Sequence, residues 1–170
     1  MNHLICGSAA LEDNMFTAEF ENCRFPNDQF RHADHIRLAW IYIRGYDYEV
    51  AEERMRYSIQ GFARSLGAER KYHETITILW MRLVNIAVQL SSRIDNFIDF
   101  ACAHAWLLDK KVIFEFYSRD LVMSEIARTA WVEPDLKPIP VLHDRGTRSS
   151  AQRAYQSTIR GAQCGTADNI

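Results

Sequence analysis

The sequence lacks the patterns that mark several common classes of protein. Its four cysteines include no pair in CxxC spacing, which argues against a thiolate zinc site and a redox dithiol. Its 20 basic and 22 acidic residues nearly balance, so no basic surface for nucleic acid or an anionic membrane is indicated, and we expect neither as a partner. A Gly-rich phosphate loop, a GxSxG elbow and an HExxH motif are also missing.

Long hydrophobic runs are missing as well. The most apolar stretch, residues 76–90, contains Arg82 and Asn85 and falls short of the roughly 20 residues that a spanning helix needs. The first residues have no basic region and only a short apolar run, unlike a signal peptide, so a cytoplasmic location is our default expectation. Cys23 and Cys102 lie in apolar helical contexts, where we expect small core residues.

What the chain does have is apolar residues at helical spacing. No strand-like alternation competes with that pattern, so we predict an all-α fold, a single compact bundle of about six helices over residues 11–132. The predicted helices cover residues 11–23, 33–45, 47–66, 72–91, 96–108 and 112–118, with a short last helix at 125–131. Gly67 suits the left-handed position after the third helix, and Ser124 suits the N-cap of the last.

The C-terminal part changes in character. Three of the four prolines lie between residues 132 and 141, which predicts an extended chain running over the surface. We therefore assign residues 133–170 to an extended, Pro-containing segment and a loose tail, with at most a weak helix at 149–160.

Two histidine stretches, FRHADHIRLAW at 30–40 and KYHETIT at 71–77, carry the candidate site. His32 and His35 share one face if the second helix includes residue 32. His73 precedes the fourth helix and shares a face with Thr77 and Trp80. Because helices two and four run parallel in an up-down bundle, their N-termini lie at one end, which brings the three histidines together in an aromatic-lined pocket.

Neutral imidazole is the commonest metal ligand in proteins, and three ligands with an open position suit a catalytic ion. We therefore predict a small-molecule enzyme in which His32, His35 and His73 bind one divalent metal, iron or zinc. Glu74 is the candidate ligand or base, and His73 and Thr77 are the other candidate catalytic residues. Positive helix ends favour an anionic substrate. The sequence leaves hydrolysis, lyase chemistry and oxygen-dependent oxidation open.

Two other interpretations use the same residues. One is a metal-free pocket with histidine acid–base chemistry. The other is a non-catalytic helical module that binds a protein or a small ligand, with histidines bonded to Asp34, Glu74 or backbone, since HxxH occurs far more often than metal sites do. The aromatic residues named as pocket candidates serve equally well in a core: Tyr42, Tyr72, Trp40 and Trp80.

Three segments together, FRHADHIRLAWIYIR, KYHETIT and FYSRDLVMSEIARTAWVEPDLKPIP, resemble a group of small uncharacterised bacterial all-helical proteins. That group shares an HxxHIRLAW, YHETIT and WVEPDL pattern, and the resemblance covers about residues 16 to 140. It implies a folded unit with the tail outside it. It implies no activity, because none is established for the group.

Overall fold

Residues 12–140, which a computed structural model describes, form a compact all-α domain, as the sequence predicts. No strand occurs within this range. The first five helices have seven to 18 residues, and the last three are about one turn each. They are α1 (Asp13–Glu21), α2 (His32–Gly45), α3 (Tyr48–Ser65), α4 (Glu74–Leu90), α5 (Phe97–Ala103), α6 (Ile113–Phe116), α7 (Arg119–Val122) and α8 (Glu125–Thr129). The helix predicted at 149–160 lies outside the described residues.

Several predicted helix ends are confirmed. Gly67 has a φ of 60°, the left-handed conformation expected after α3. The hydroxyl of Ser124 accepts a hydrogen bond from the backbone N–H of Ala127, as an N-cap does. Helix α2 already includes His32, which is the condition for His32 and His35 to share a face.

The predicted fifth and sixth helices are shorter than expected. The chain leaves the α-helix at His104 and continues as a 3-10 turn, Ala105–Leu108. Helix α6 ends before Tyr117, whose backbone is extended and whose hydroxyl donates to the Val132 carbonyl at 2.7 Å. Helix α7 was not predicted, because a single turn is too short to show a periodic pattern.

The prediction that Cys23 and Cys102 are core residues is wrong, since both thiols are free and exposed. Cys23 follows the end of α1 in a left-handed conformation, with a φ of 55°. Cys102 lies on the outer face of α5, because Phe97, Phe100 and Ala101 occupy the face that packs on the domain. An apolar context in the sequence did not distinguish the two faces of so short a helix.

Contacts between side chains show that α2 and α4 run in the same direction. Near the start of α2, the ring of His32 lies 4.6 Å from that of Trp80. At its other end, Arg44 forms an ion pair of 3.0 Å with Asp95, which follows α4. The predicted parallel arrangement is therefore present, but the two helices are staggered, since the first residue of α2 lies level with the middle of α4.

Helix α4 is the central helix, as its apolar sequence predicts. It packs against α2, α3 and α8, and its buried side chains cover several of its sides. No helix within residues 12–140 is long and apolar enough to cross a membrane. The buried residues of α4 are Thr75, Ile78, Leu79, Trp80, Met81, Leu83, Val84, Ile86 and Ala87.

Residues 133–140 run without helix, as predicted, and they are attached to the helical body. The backbone N–H of Ser118 donates to Asp135 at 2.8 Å, and the N–H of Leu136 donates to the Phe116 carbonyl at 3.0 Å. This segment therefore covers one side of the domain.

Candidate functional site

His32 is held in one tautomer at the start of α2. Its Nε2 atom lies 2.9 Å from the carbonyl oxygen of Leu107, and a carbonyl only accepts, so Nε2 carries the proton. The Nδ1 atom is then an unprotonated acceptor. Burial lowers the pKa of His32, opposed by the hydrogen bond to Leu107. At neutral pH this ring is therefore an oriented, uncharged imidazole.

His35 lies one turn further along the same face of α2. Its ring packs 4.2 Å from the ring of Phe30, and it forms no hydrogen bond or ion pair with any described residue. Burial lowers its pKa to about 3, and the nearby charges of His32 and Lys110 act in the same direction. Both its nitrogen atoms are thus uncharged and available for a hydrogen bond at neutral pH.

The ring of His35 is half-buried, so part of its surface stays open to solvent. Small-molecule sites are typically concave and mostly apolar, with a few polar groups. The rings of Phe30 and Trp80 and the imidazoles of His32 and His35 match the apolar and polar groups of such a site.

His73 does not join this pair. Its Nε2 atom donates to the Val122 carbonyl at 2.7 Å, and its Nδ1 atom accepts from the N–H of Ile76 at 3.3 Å, so both nitrogens are engaged. His73 is seven residues before Trp80, the residue that contacts His32, which is about 10 Å along α4 at ~1.5 Å per residue. The stagger of α2 and α4 accounts for the separation.

The other two predicted catalytic residues also have partners within the protein. The Oε1 atom of Glu74 lies 2.9 Å from Nε of Arg56, and its Oε2 atom accepts from the hydroxyl of Tyr72. The hydroxyl of Thr77 donates to the backbone carbonyl of His73 at 2.9 Å. Glu74 and Thr77 thus secure the beginning of α4 and its contact with α3.

The donor set limits how a metal would bind. Within residues 12–140, no group of three or more His, Cys, Asp or Glu side chains is arranged to hold a metal ion, so the predicted trio of His32, His35 and His73 is not assembled. His32 and His35 alone offer two nitrogens, fewer than the three or four protein ligands usual for zinc or non-haem iron.

Among the predicted pocket aromatics, only Trp80 contacts a site histidine. Trp40 packs against Phe97 and Phe100, both at 5.9 Å, in the core. Tyr42 is fully buried beneath α3. Trp40 and Tyr42 are therefore core residues, as the alternative interpretation of these aromatic residues expected.

Two contributors to the site could not be predicted from sequence patterns. Leu107 acts through its backbone carbonyl, which no residue pattern reveals. Lys110 follows in the next turn and exerts its charge on both His32 and His35. Both lie about 75 residues from His32 in the chain, and only the packing of the 3-10 turns against α2 brings them near.

Comparisons with known proteins add no identification. A scan against protein-family models, a search of curated proteins and a search of solved structures each find no match. The resemblance to small bacterial helical proteins therefore stays a prediction, and only the geometry of this chain bears on its function.

Proposed function

We propose that this protein is a small-molecule enzyme that binds its substrate beside His32 and His35 and uses histidine for proton transfer. The observation that carries the proposal is His35, a half-buried imidazole without a hydrogen-bond partner among the described residues. Because the ring of His35 has no partner in the described residues, a ligand can bond to its nitrogen atoms without breaking a hydrogen bond within the protein.

His32 suits the role of general base. The Leu107 carbonyl fixes Nε2–H, which leaves the Nδ1 lone pair to take a proton, the arrangement by which a second group orients a catalytic imidazole. Burial lowers its pKa and the hydrogen bond to Leu107 raises it, while the charge of Lys110 lowers it and that of Asp109 raises it. His35, with a pKa of about 3, is too weak a base at neutral pH and suits binding by hydrogen bond.

The surroundings favour a ligand with an apolar body and an anionic group. Phe30 and Trp80 supply ring surfaces, while Lys110 and the N-terminus of α2 supply positive potential. Proton transfer next to such a group fits lyase or hydrolase chemistry, two of the reaction types that the sequence left open.

Histidine NMR tests this proposal. Mixtures of small carboxylates and neutral metabolites are added to protein labelled with ¹³C at histidine Cε1. The resonances of the two site histidines are assigned with the variants His35→Gln and His32→Gln. We expect at least one compound to shift both of them and to leave His73 and His104 unchanged. Turnover of that compound, lost in His32→Gln and kept in the exposed control Cys102→Ser, would establish an enzyme. If no compound perturbs either resonance, the proposal is wrong.

A non-catalytic binding module is the second candidate. It is favoured by one observation: three residues first expected to be catalytic, His73, Glu74 and Thr77, all bond within the protein. Binding at His32 and His35 without any turnover would select this function. Adding zinc to the same sample tests the metal form, in which both imidazoles act as neutral ligands and both resonances shift at one equivalent.

A further inference from the structure

A recess lies on another side of α4, between the middle of that helix and the extended C-terminal segment. Its volume is about 420 Å³. Arg82 of α4 borders it, and residues 133–139 form the rest of its wall. The wall combines apolar residues, Pro134 and Ile139 among them, with the charged side chains of Glu133, Asp135 and Lys137.

Arg82 is the unusual group in this recess. Its guanidinium lies over the ring of Trp131, 4.0 Å from the centroid, and it contacts the hydroxyl of Tyr48. No carboxylate of the described residues lies within 4.0 Å of it, although the residue is half-buried. Lys137, by contrast, forms an ion pair of 2.6 Å with Glu115. The guanidinium retains donors for an anionic group.

The two carboxylates of the recess are held away from Arg82. Glu133 accepts from the indole N–H of Trp131 at 2.8 Å, and Asp135 accepts from the backbone N–H of Ser118 at 2.8 Å. Asp135 also accepts a hydrogen bond from the side chain of Ser118. A carboxylate has about four acceptor sites on its two oxygen atoms, so both carboxylates can accept from another donor. The recess thus holds Arg82 and two carboxylates with hydrogen-bonding capacity to spare, next to Lys137, whose charge is paired with Glu115.

We propose that this recess binds a zwitterionic α-amino acid. Its carboxylate pairs with Arg82, its ammonium group with the remaining acceptor sites of Glu133 and Asp135, and its side chain lies along the prolines and Ile139 of the wall. A simple anion gains only Arg82 and meets repulsion from both carboxylates, whereas a zwitterion is attracted by all three groups. This site is separate from the one proposed at His32 and His35.

Three probes with the same isobutyl group separate these contributions. L-Leucine carries both charges, 4-methylpentanoate only the carboxylate, and 3-methylbutylamine only the ammonium group. Binding to the full chain is followed by the indole ¹H–¹⁵N signal of Trp131, assigned with Trp131→Phe. We expect L-leucine to shift this signal saturably at millimolar concentration, and each of the other two probes to bind at least about tenfold more weakly, as for a lost charged hydrogen bond.

Amino-acid substitutions test whether L-leucine binds in this recess. Arg82→Gln should weaken L-leucine binding roughly ten- to a hundredfold, the range for hydrogen bonds to a charged group. Arg93→Gln is the matched control, because Arg93 is exposed and has no ion pair with a described residue, and it should bind as the wild type does. If Arg82→Gln does not fold, Glu133→Gln, at an exposed position, should still weaken L-leucine binding several-fold.

Three outcomes would overturn the inference. They are the lack of a saturable shift of the wild-type Trp131 signal with L-leucine, unchanged binding of L-leucine by Arg82→Gln, and binding of 4-methylpentanoate as tight as that of L-leucine. The last result would make the recess a simple carboxylate site and would exclude the amino acid as its ligand.

Discussion

The Nε2 atom of His73 lies 2.7 Å from the carbonyl oxygen of Val122, a residue 49 positions further along the chain. This bond joins the beginning of α4 to the end of α7, while Nδ1 of the same ring caps α4 through the N–H of Ile76. One histidine thus satisfies a helix N-terminus and a distant backbone carbonyl together, which makes it a structural residue in this fold.

His73→Ala should lower the free energy of unfolding by about 1–3 kcal/mol, since the change removes a helix cap and a buried hydrogen bond. Urea unfolding followed by circular dichroism measures the effect. His73→Asn is the matched variant: asparagine is a good N-cap residue, so only the bond to Val122 is lost and the effect should be smaller. An alanine variant as stable as the wild type would show that neither bond contributes.

Acid should destabilise the protein through its buried histidines. Burial lowers the pKa of His32, His35, His73 and His104 below the ordinary value of 6.5. The unfolded chain then binds more protons than the folded one. The contribution of these histidines to the free energy of unfolding is therefore complete above about pH 6.5 and declines as the pH falls below it. For His35, whose pKa is about 3, the decline continues to about that pH.

Urea unfolding at about pH 7.5 and about pH 5 measures this decline. At pH 5, the low pKa of His35 alone should reduce the free energy of unfolding by on the order of 2 kcal/mol. The figure comes from the ~1.5 pH units between the ordinary pKa of 6.5 and pH 5, at 1.36 kcal/mol each. His35→Phe, which keeps a ring against Phe30, should show a smaller loss between the two pH values. An equal loss in both proteins would assign the acid sensitivity to other groups.

Two threonines two residues apart in α4 should differ in their effect on stability. The hydroxyl of Thr75 is fully buried, donates to the Ala130 carbonyl at 2.7 Å and accepts from the N–H of Val132 at 3.2 Å. Thr75→Val leaves both backbone groups without this partner and should cost about 1–3 kcal/mol. Thr77 bonds only to a carbonyl of its own helical turn, so Thr77→Val should cost less. Thermal unfolding of both variants gives the comparison, and equal values would contradict it.

The hydroxyl of Tyr42 should stabilise the contact between α2 and α3. It donates to Glu21 and accepts from the hydroxyl of Ser58, both at 2.9 Å, at a site that is 1% exposed. Tyr42→Phe should therefore lower the free energy of unfolding by about 1–2 kcal/mol. Tyr57→Phe, at a residue that is 78% exposed, should change it by less than about 0.5 kcal/mol. Chemical denaturation distinguishes the two, and a neutral Tyr42→Phe would refute the assignment.

Much of the helical architecture follows from local sequence. Helices α1 to α4 each show apolar residues at helical spacing, and their observed bounds lie within about three residues of the predicted ones. Helical spacing in the sequence did not predict α7 or the 3-10 turn after α5, because a single turn contains too few residues to define a period. The apolar neighbourhoods of Cys23 and Cys102 misled for another reason: Cys23 lies beyond the end of α1, and Cys102 lies on the outer face of α5.

Half of the candidate site was determined by the sequence alone. Three-residue spacing puts His32 and His35 on one face as soon as the helix begins at residue 32, whatever the rest of the fold does. The pattern also made helices two and four parallel. It did not fix how far one helix is displaced along the other, because that displacement depends on which side chains interlock across their contact.

Only the tertiary structure decided the rest. The stagger of α2 against α4 separates His73 from His32, and the position of α7 supplies the carbonyl that engages its ring. The packing of the 3-10 turn Ala105–Leu108 on α2 brings the Leu107 carbonyl to His32. These contacts join residues 49 to 75 positions apart, so they follow from how the whole core packs and not from any local periodicity.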